Sequence, residues 1–402
     1  ILKERERVII NFLIIIQGKM RVSLLGVEFY SENRGCGALA YSIVEILKQI
    51  CKKKGDNLHI TAILFSNHPV VIKDDDIEVT IECIKIAPKK FTYWKACKRA
   101  FADSDFILDF SMGDSFADIY GMKRFFLASM LKELAIKSKT EFIMAPQTIG
   151  PFSRREAKLW ASHILKACNE CFVRDTLSKK YVKELCGRNA LLTTDVAFAL
   201  PYKERIIDKK EGIVRVGLNP SGLLWGKESG FDAEKHVSVD YKEYIECLMQ
   251  AWKKDEMVEI YLIPHVFAED GSGMEDDLRV CKELHKKYPA TVLETGARTP
   301  MEIKSIIASM DVFTGARMHA TIAAFSSGVA TIPFSYSRKF EGLYHDLGYA
   351  YLISGASTNT QEAVKKTLAW VKEYKKLREN VKECRKNIPD KQRVFLDVLK
   401  NM

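Results

Sequence analysis

No apolar run in this chain reads as a membrane span. The longest run near the N-terminus, Val8–Ile16, is far shorter than the roughly 20 residues a spanning helix needs. No small-residue cleavage site follows it, as a secretory signal would require. Catalytic signatures are missing as well. The chain has no GxSxG elbow and no HExxH, so hydrolase and zinc-peptidase readings find no support. Neither GxGxxG nor Walker spacing occurs, so the common nucleotide fingerprints are absent. Cys168 and Cys171 form one CxxC, but a zinc site wants a second pair, and the two read as buried thiols. The ten cysteines show no framework spacing, which fits a reducing, cytoplasmic setting. Internal repeats, low-complexity tracts and heptads are lacking too.

What is present is a globular composition. The 402 residues are 47% hydrophobic and 28% charged, enough for two or three domains with sizeable cores. The net charge of +10 favours an acidic partner: a phosphorylated small molecule, an anionic glycan or a membrane surface. Aromatics do not interleave with the lysines and arginines as stacking platforms, so nucleic acid is not indicated.

Met20 precedes a clean strand, and residues 1–19 read as an N-terminal extension. Short β-rich runs then alternate with amphipathic helices, as in Val22–Leu25, Phe106–Asp109 and Phe142–Ala145 against Ala38–Lys54, Met122–Lys137 and Arg154–Ala167. In the first helix Ile43, Leu47 and Ile50 recur at three- and four-residue steps. Such alternation implies a parallel sheet covered on both faces. Residues 20–200 form the first such domain. The charged segment Pro201–Gly212 reads as a linker, and residues 213–355 form a second alternating domain. From Thr360 a long charged helix carries Val364, Leu368, Val371 and Val381 on one face as far as Pro389, within a helical segment 359–402 that packs across both domains. The fold class is α/β: two doubly wound, Rossmann-like domains facing across a cleft.

Candidate site residues cluster in loops after strands. The stretch Asp311–Gly348 places Arg317 and His319 at the mouth of an apolar helix, with Lys339 one strand later. A helix N-terminus suits an anion, and three cationic or titratable groups there suit a small, multiply charged one. In the first half, Asn33 and Gly35 sit in a glycine-containing loop before a helix, which is either a ligand cradle or a tight turn. Asp109, Asp114 and Asp118 share one loop with Ser115, either to accept sugar hydroxyls or, for Asp118, to cap a helix. Gln147 ends a strand beside a Pro–Gly turn. Arg174 precedes Asp175, either as a cleft anchor or as half of a structural pair. Asn219 opens a loop reaching Ser238 that could cover substrate, and His265 ends a strand as a second cleft histidine or a plain loop residue.

Six blocks, in order, resemble the polysaccharide pyruvyl transferase family: Asn33–Ala40, Asp109–Gly121, Ala145–Phe152, Phe172–Leu185, Thr193–Leu200 and Gly315–Gly348. Many members carry Asn-x-Gly-Asp in the first block, where this chain has Cys36. The resemblance implies a GT-B-like fold with an acceptor-side first domain and a donor-side second. It implies phosphoenolpyruvate as donor and a glycan or lipid-linked saccharide as acceptor, in cell-surface or exopolysaccharide synthesis. The product is a pyruvate ketal, and no cofactor or metal is called for. The family's Arg-x-His motif falls on Arg317 and His319, and its Arg before an acid on Arg174. In this reading His319 supplies the proton or stabilises the leaving phosphate, and Arg317, Arg174 and Lys339 hold the donor. Asp114 and Asp118 orient or deprotonate the acceptor; Asn33, Gly35, Ser115, Gln147, Asn219 and His265 line the substrates. A nucleotide-sugar glycosyltransferase and a non-catalytic glycan-binding protein are the alternatives. Peripheral membrane association at an inner face stays open, as does oligomeric state.

Overall fold

The computed structural model describes residues 18–66, 68–205, 211–226, 237–268, 273 and 275–402. Residues 1–17 of the expected extension, 206–210 of the expected linker and 227–236 of the expected covering loop lie outside the described residues.

Seven parallel strands form the first sheet: β1 (Lys19–Leu25), β2 (Asn57–Leu64), β3 (Val79–Lys85), β4 (Phe106–Asp109), β5 (Glu141–Gln147), β6 (Glu170–Val173) and β7 (Leu191–Leu192). Their spatial order is β3-β2-β1-β4-β5-β6-β7. Helices α1 (Arg34–Lys54), α2 (Phe91–Ala102), α3 (Met122–Lys137), α4 (Arg155–Ala167) and α5 (Thr176–Cys186) make the crossovers. The order reverses between β1 and β4, and such a reversal opens a crevice at the carboxyl ends of the strands. Helix α1 begins at Arg34, four residues before the expected Ala38. Asn33 caps it, its Oδ1 accepting the Gly35 N–H at 2.9 Å. The expected glycine loop is therefore a capped first helical turn.

The second sheet is also parallel, ordered β10-β9-β8-β11-β12-β13. Its elements in chain order are β8 (Val214–Asn219), α6 (Gly222–Trp225), α7 (Tyr241–Lys253), β9 (Val258–Leu262), α8 (Asp277–Lys287), β10 (Val292–Leu293), α9 (Pro300–Ala308), β11 (Val312–Gly315), α10 (Met318–Ser327), β12 (Ala330–Ser335), α11 (Arg338–Asp346) and β13 (Ile353–Ser354). A capping box between Thr299 and Glu302, with Pro300 at the first helical position, starts α9, where the missing proline N–H costs nothing.

The expected single C-terminal helix is three: α12 (Thr360–Lys372), α13 (Tyr374–Arg385) and α14 (Asn387–Lys400). The chain leaves helical geometry at Glu373. Pro389 does not end the helix; it lies in the first turn of α14, where proline is tolerated. The segment does bridge the two halves. Val371 and Leu377 belong to the second sheet's core. Val381, Ile388, Phe395 and Leu399 belong to the first sheet's.

That first core also takes in Ile322 and Phe325 of α10 and Phe340 and Tyr344 of α11. The halves thus share apolar packing, which sets their cleft geometry. Lys304 of α9 crosses the same junction. It is buried, and its Nζ donates to the Leu200 carbonyl at 2.7 Å. Burial, then Arg385, lowers its pKa from 10.5 to about 7. Between those values the unfolded chain holds the proton that the folded chain releases, so stability from this group falls as pH drops from 10.5 toward 7. Lys304→Met is expected to flatten the melting temperature against pH across that window. An unchanged slope relative to the parent would contradict a neutral buried amine.

Candidate active site

A cavity of ≈ 770 Å³ opens between the carboxyl ends of the two sheets. Asn33, Cys36, Asp114, Ser115, Tyr120 and Arg124 line it from the first half, and Glu275, Arg317, Tyr336 and Ser337 from the second.

The first wall is shaped by the loop after β4. Asp109 is buried and fixed by Lys132 at 3.2 Å and by the Ser111 hydroxyl at 2.7 Å. Ser111 and Met112 take left-handed conformations, φ 44 and 54, so the chain turns sharply toward the cleft. Asp114 follows, half-buried, accepting from the Tyr120 hydroxyl at 3.0 Å. Arg124, in the first turn of α3, reaches Ser115 Oγ at 2.9 Å and lies over the Tyr120 ring. Among the described residues no carboxylate pairs with Arg124, which is exposed at the cleft. The Cys36 thiol is pushed up to about 11 by burial and then by Asp114. It stays protonated at neutral pH and so is a neutral group beside Asp114.

Arg317 reaches the cleft wall but is not an uncommitted anion anchor. It precedes the first residue of α10 without capping it, and its Nε and Nη2 donate to Asp277 Oδ1 at 3.1 and 3.0 Å. Nη1 reaches Glu275 Oε2 at 3.0 Å, and Nη2 the Glu275 carbonyl at 2.8 Å. Asp277 is the hub of this wall. It also accepts N–H groups from Gly222, His265 and Val266 and the Asn219 amide. Asn219 and His265, expected to touch substrate, are therefore part of the scaffold. Asn219 is fully buried and holds the Arg317 N–H through Oδ1 at 3.2 Å. His265 is buried, its backbone tied to Asp277 and Arg34. Burial, then His319 and Arg317, push its imidazole well below the ordinary value, so it is neutral at pH 7.

His319 and Arg174 meet at Asp195, next to the residues that line the cavity. Arg174 is buried: Nη1 donates to Asp195 Oδ2 at 2.6 Å and Nε to Thr148 Oγ1 at 3.0 Å. His319 Nε2 lies 3.7 Å from the same Asp195 oxygen, too far for a hydrogen bond, and is buried without a partner. The ring keeps 14% of its surface exposed. Its place explains Gly35 inside a helix. A Cβ at residue 35 would lie 2.4 Å from His319 Nδ1, so only glycine lets α1 pass the ring. Burial lowers the His319 pKa, against the raising influence of Asp195 and Asp114.

Two expected contacts are overturned outright. Asp118 points away from the cavity: it accepts from the N–H groups of Ser153 and Arg154 and from the Ser153 hydroxyl, at 2.8–3.0 Å. It ties down the turn that leads into α4 and is not the helix cap of the alternative reading, since the N-cap positions of α3 and α4 are Gly121 and Arg154. Gln147 is fully buried, its Nε2 donating to the Asp109 and Ala145 carbonyls. The Lys339 side chain lies outside the described residues. Asp114, Ser115, Asn33 and Arg317 do converge on the cavity. Arg124, Tyr120, Tyr336, Asp195 and Asp277 went unread in the sequence. Arg124 carried no strand-end signal because it sits inside a helical pattern.

A family model described as Polysaccharide pyruvyl transferase matches residues 33–338. No curated protein matches the chain in a sequence comparison. Among solved structures, sucrose-phosphate synthase from Thermosynechococcus elongatus is similar at a TM-score of 0.57 and 10% identity, over 95% of this chain and 98% of that one. UDP-GlcNAc 2-epimerase from Neisseria meningitidis, bound to UDP-GlcNAc, gives 0.55 and 10% over 95% and 100%. An alpha,alpha-trehalose-phosphate synthase (UDP-forming) from Burkholderia vietnamiensis gives 0.51 and 11% over 95% and 100%. At these identities the likeness concerns fold, and the fold is of the GT-B type.

Proposed function

This chain belongs to the polysaccharide pyruvyl transferase family, and we propose that it moves pyruvate from phosphoenolpyruvate onto a pair of glycan hydroxyls as a cyclic ketal. One observation carries the reading: an arginine with no carboxylate partner among the described residues, Arg124, and an acceptor-side carboxylate, Asp114, share one cavity with Ser337 at the start of α11. A donor bearing a phosphate and a carboxylate needs a planar cation and gains from a helix N-terminus. Lys339 lies in the first turn of that helix and belongs to the donor side of the proposal.

The chemistry follows in balanced steps. His319 gives a proton to the methylene carbon of the enol ester, and the adjacent carbon becomes oxocarbenium-like. A first sugar hydroxyl adds to that carbon and loses its proton to Asp114. The carbon–oxygen bond to phosphate then breaks, a second hydroxyl closes the ring, and its proton leaves with inorganic phosphate. Asp195 is a positioning residue: it ties Arg174 to the His319 edge without touching substrate. Arg317, held by two carboxylates, shapes the wall more than it neutralises the donor. The protonated Cys36 contributes no charge beside Asp114.

Phosphate release from phosphoenolpyruvate, measured with a panel of glycan acceptors, tests the reaction, and UDP-GlcNAc serves as the competing ligand. Acceptor-dependent release is the expected result; a thermal shift with UDP-GlcNAc and none with phosphoenolpyruvate would transfer the chain to nucleotide-sugar chemistry. Arg124→Gln removes a charged hydrogen-bond donor. It is expected to raise KM for phosphoenolpyruvate roughly 10- to 100-fold with a smaller change in kcat. An unaltered KM would take Arg124 out of the donor site.

A further inference from the structure

Helix α3 has apolar residues on more than its core-facing side. Phe125, Leu131 and Ala135 pack into the core beneath the sheet face. Phe126 and Met130, on other sides of the same helix, are exposed at 53% and 36%. Phe126 and Met130 stand one helical turn apart, so they form one exposed apolar strip beside the charged groups. The exposed patch continues onto α4. The Phe126 ring sits edge-on to Trp160, with centroids 5.0 Å apart, and the neighbouring Leu159 is 64% exposed.

The rim of the patch selects the occupant. Between residues 119 and 167 the chain carries nine lysines and arginines against three glutamates; of the nine, Lys132 is buried against Asp109 and takes no part in the rim. Lys123, Arg124, Arg155 and Lys158 are exposed, and Glu133 accepts from the Trp160 indole. Aromatic and aliphatic groups ringed by cations fit the boundary between headgroups and acyl chains of an anionic bilayer. A partner protein of ordinary surface offers no comparable sheet of negative charge over acyl chains. Position adds to the argument. Arg124 lines the cleft and also a narrower groove walled by Leu127, Leu131 and Phe65, so the patch starts at the cleft's edge.

We propose that the outer face of α3 and α4 docks on an anionic lipid bilayer and so presents the cleft to a lipid-linked saccharide. The docking is read from this face alone; the lipid-linked acceptor rests also on the pyruvyl transfer proposed above. Phe126, Met130 and Leu159 enter the interface, and Lys123, Arg155 and Lys158 lie over the headgroup phosphates. The geometry gives the acceptor a short path, from a carrier embedded in the bilayer to Asp114.

Co-sedimentation of the full chain with vesicles of phosphatidylcholine alone and of phosphatidylcholine with phosphatidylglycerol tests the docking. Binding is expected only to the anionic vesicles, weakening as salt rises. The Phe126→Glu/Leu159→Glu and Lys123→Glu/Lys158→Glu double variants are each expected to lower the bound fraction at least ~10-fold. The second pair alters no apolar packing, so it remains informative if the first misfolds. Phosphate release with a water-soluble acceptor is expected to be unchanged in the lysine pair, and this separates docking from catalysis. The proposal is overturned if the parent stays in the supernatant with anionic vesicles, if the lysine pair sediments like the parent, or if the face instead joins two copies in solution.

Discussion

Replacing His319 with alanine is expected to lower turnover at least ~100-fold, the scale of losing one acid catalyst, while the domains stay folded. The ring sits between α1 and Asp195 with an unpartnered Nε2, so its loss breaks no hydrogen bond at that atom. The pH profile separates catalysis from packing. Burial sets the His319 pKa below the ordinary 6.5. An acid must carry its proton, so kcat/KM, which reports the free enzyme, falls as pH rises through that lowered value. The limb should vanish in His319→Ala. It should move to still lower pH in Asp195→Asn, because the Asp195 charge raises the His319 pKa. Near-normal turnover in His319→Ala, or a limb left in place, would retire the assignment.

Replacing Asp277 with alanine is expected to cost about 3–5 kcal/mol of unfolding free energy, the range for breaking a buried ion pair. Its side chain is 0% exposed. It alone accepts two Arg317 donors, three backbone N–H groups and the Asn219 amide. Alanine would leave a buried guanidinium with only the half-exposed Glu275 as carboxylate partner; burial lowers its pKa, but the charges around it, Asp277 first, raise it above the ordinary value. Glu275 makes the contrast. It pairs with the same arginine but is 46% exposed, so Glu275→Ala should cost no more than about 1 kcal/mol. Denaturant midpoints of the two variants are the measurement. Equal losses would show that the wall does not depend on Asp277.

The two variants separate two kinds of legibility. His319 could be singled out because a histidine at a helix mouth after a buried strand is a local pattern. Asp277 could not, because its carboxylate gains meaning only from Arg317, 40 residues away. Asp118 and Gln147 misled for the same reason. Each ends a strand or opens a loop, as site residues do, yet each is turned inward by backbone groups that pair with it across the fold. Arg124 was hidden by the opposite effect: a helical stretch gave no hint that its first turn borders the crevice.

The order of residues alone determined the two alternating series of strands and helices and the separation into two sheets, because periodicities of two and 3.6 are written within a few neighbouring positions. It also determined that strand-end loops would supply the cleft. Only the tertiary structure decided which of those loop residues face the cavity and which are spent on internal carboxylates and carbonyls. Desolvated polar groups must find partners, and partners from distant crossovers become available only when the sheets have packed.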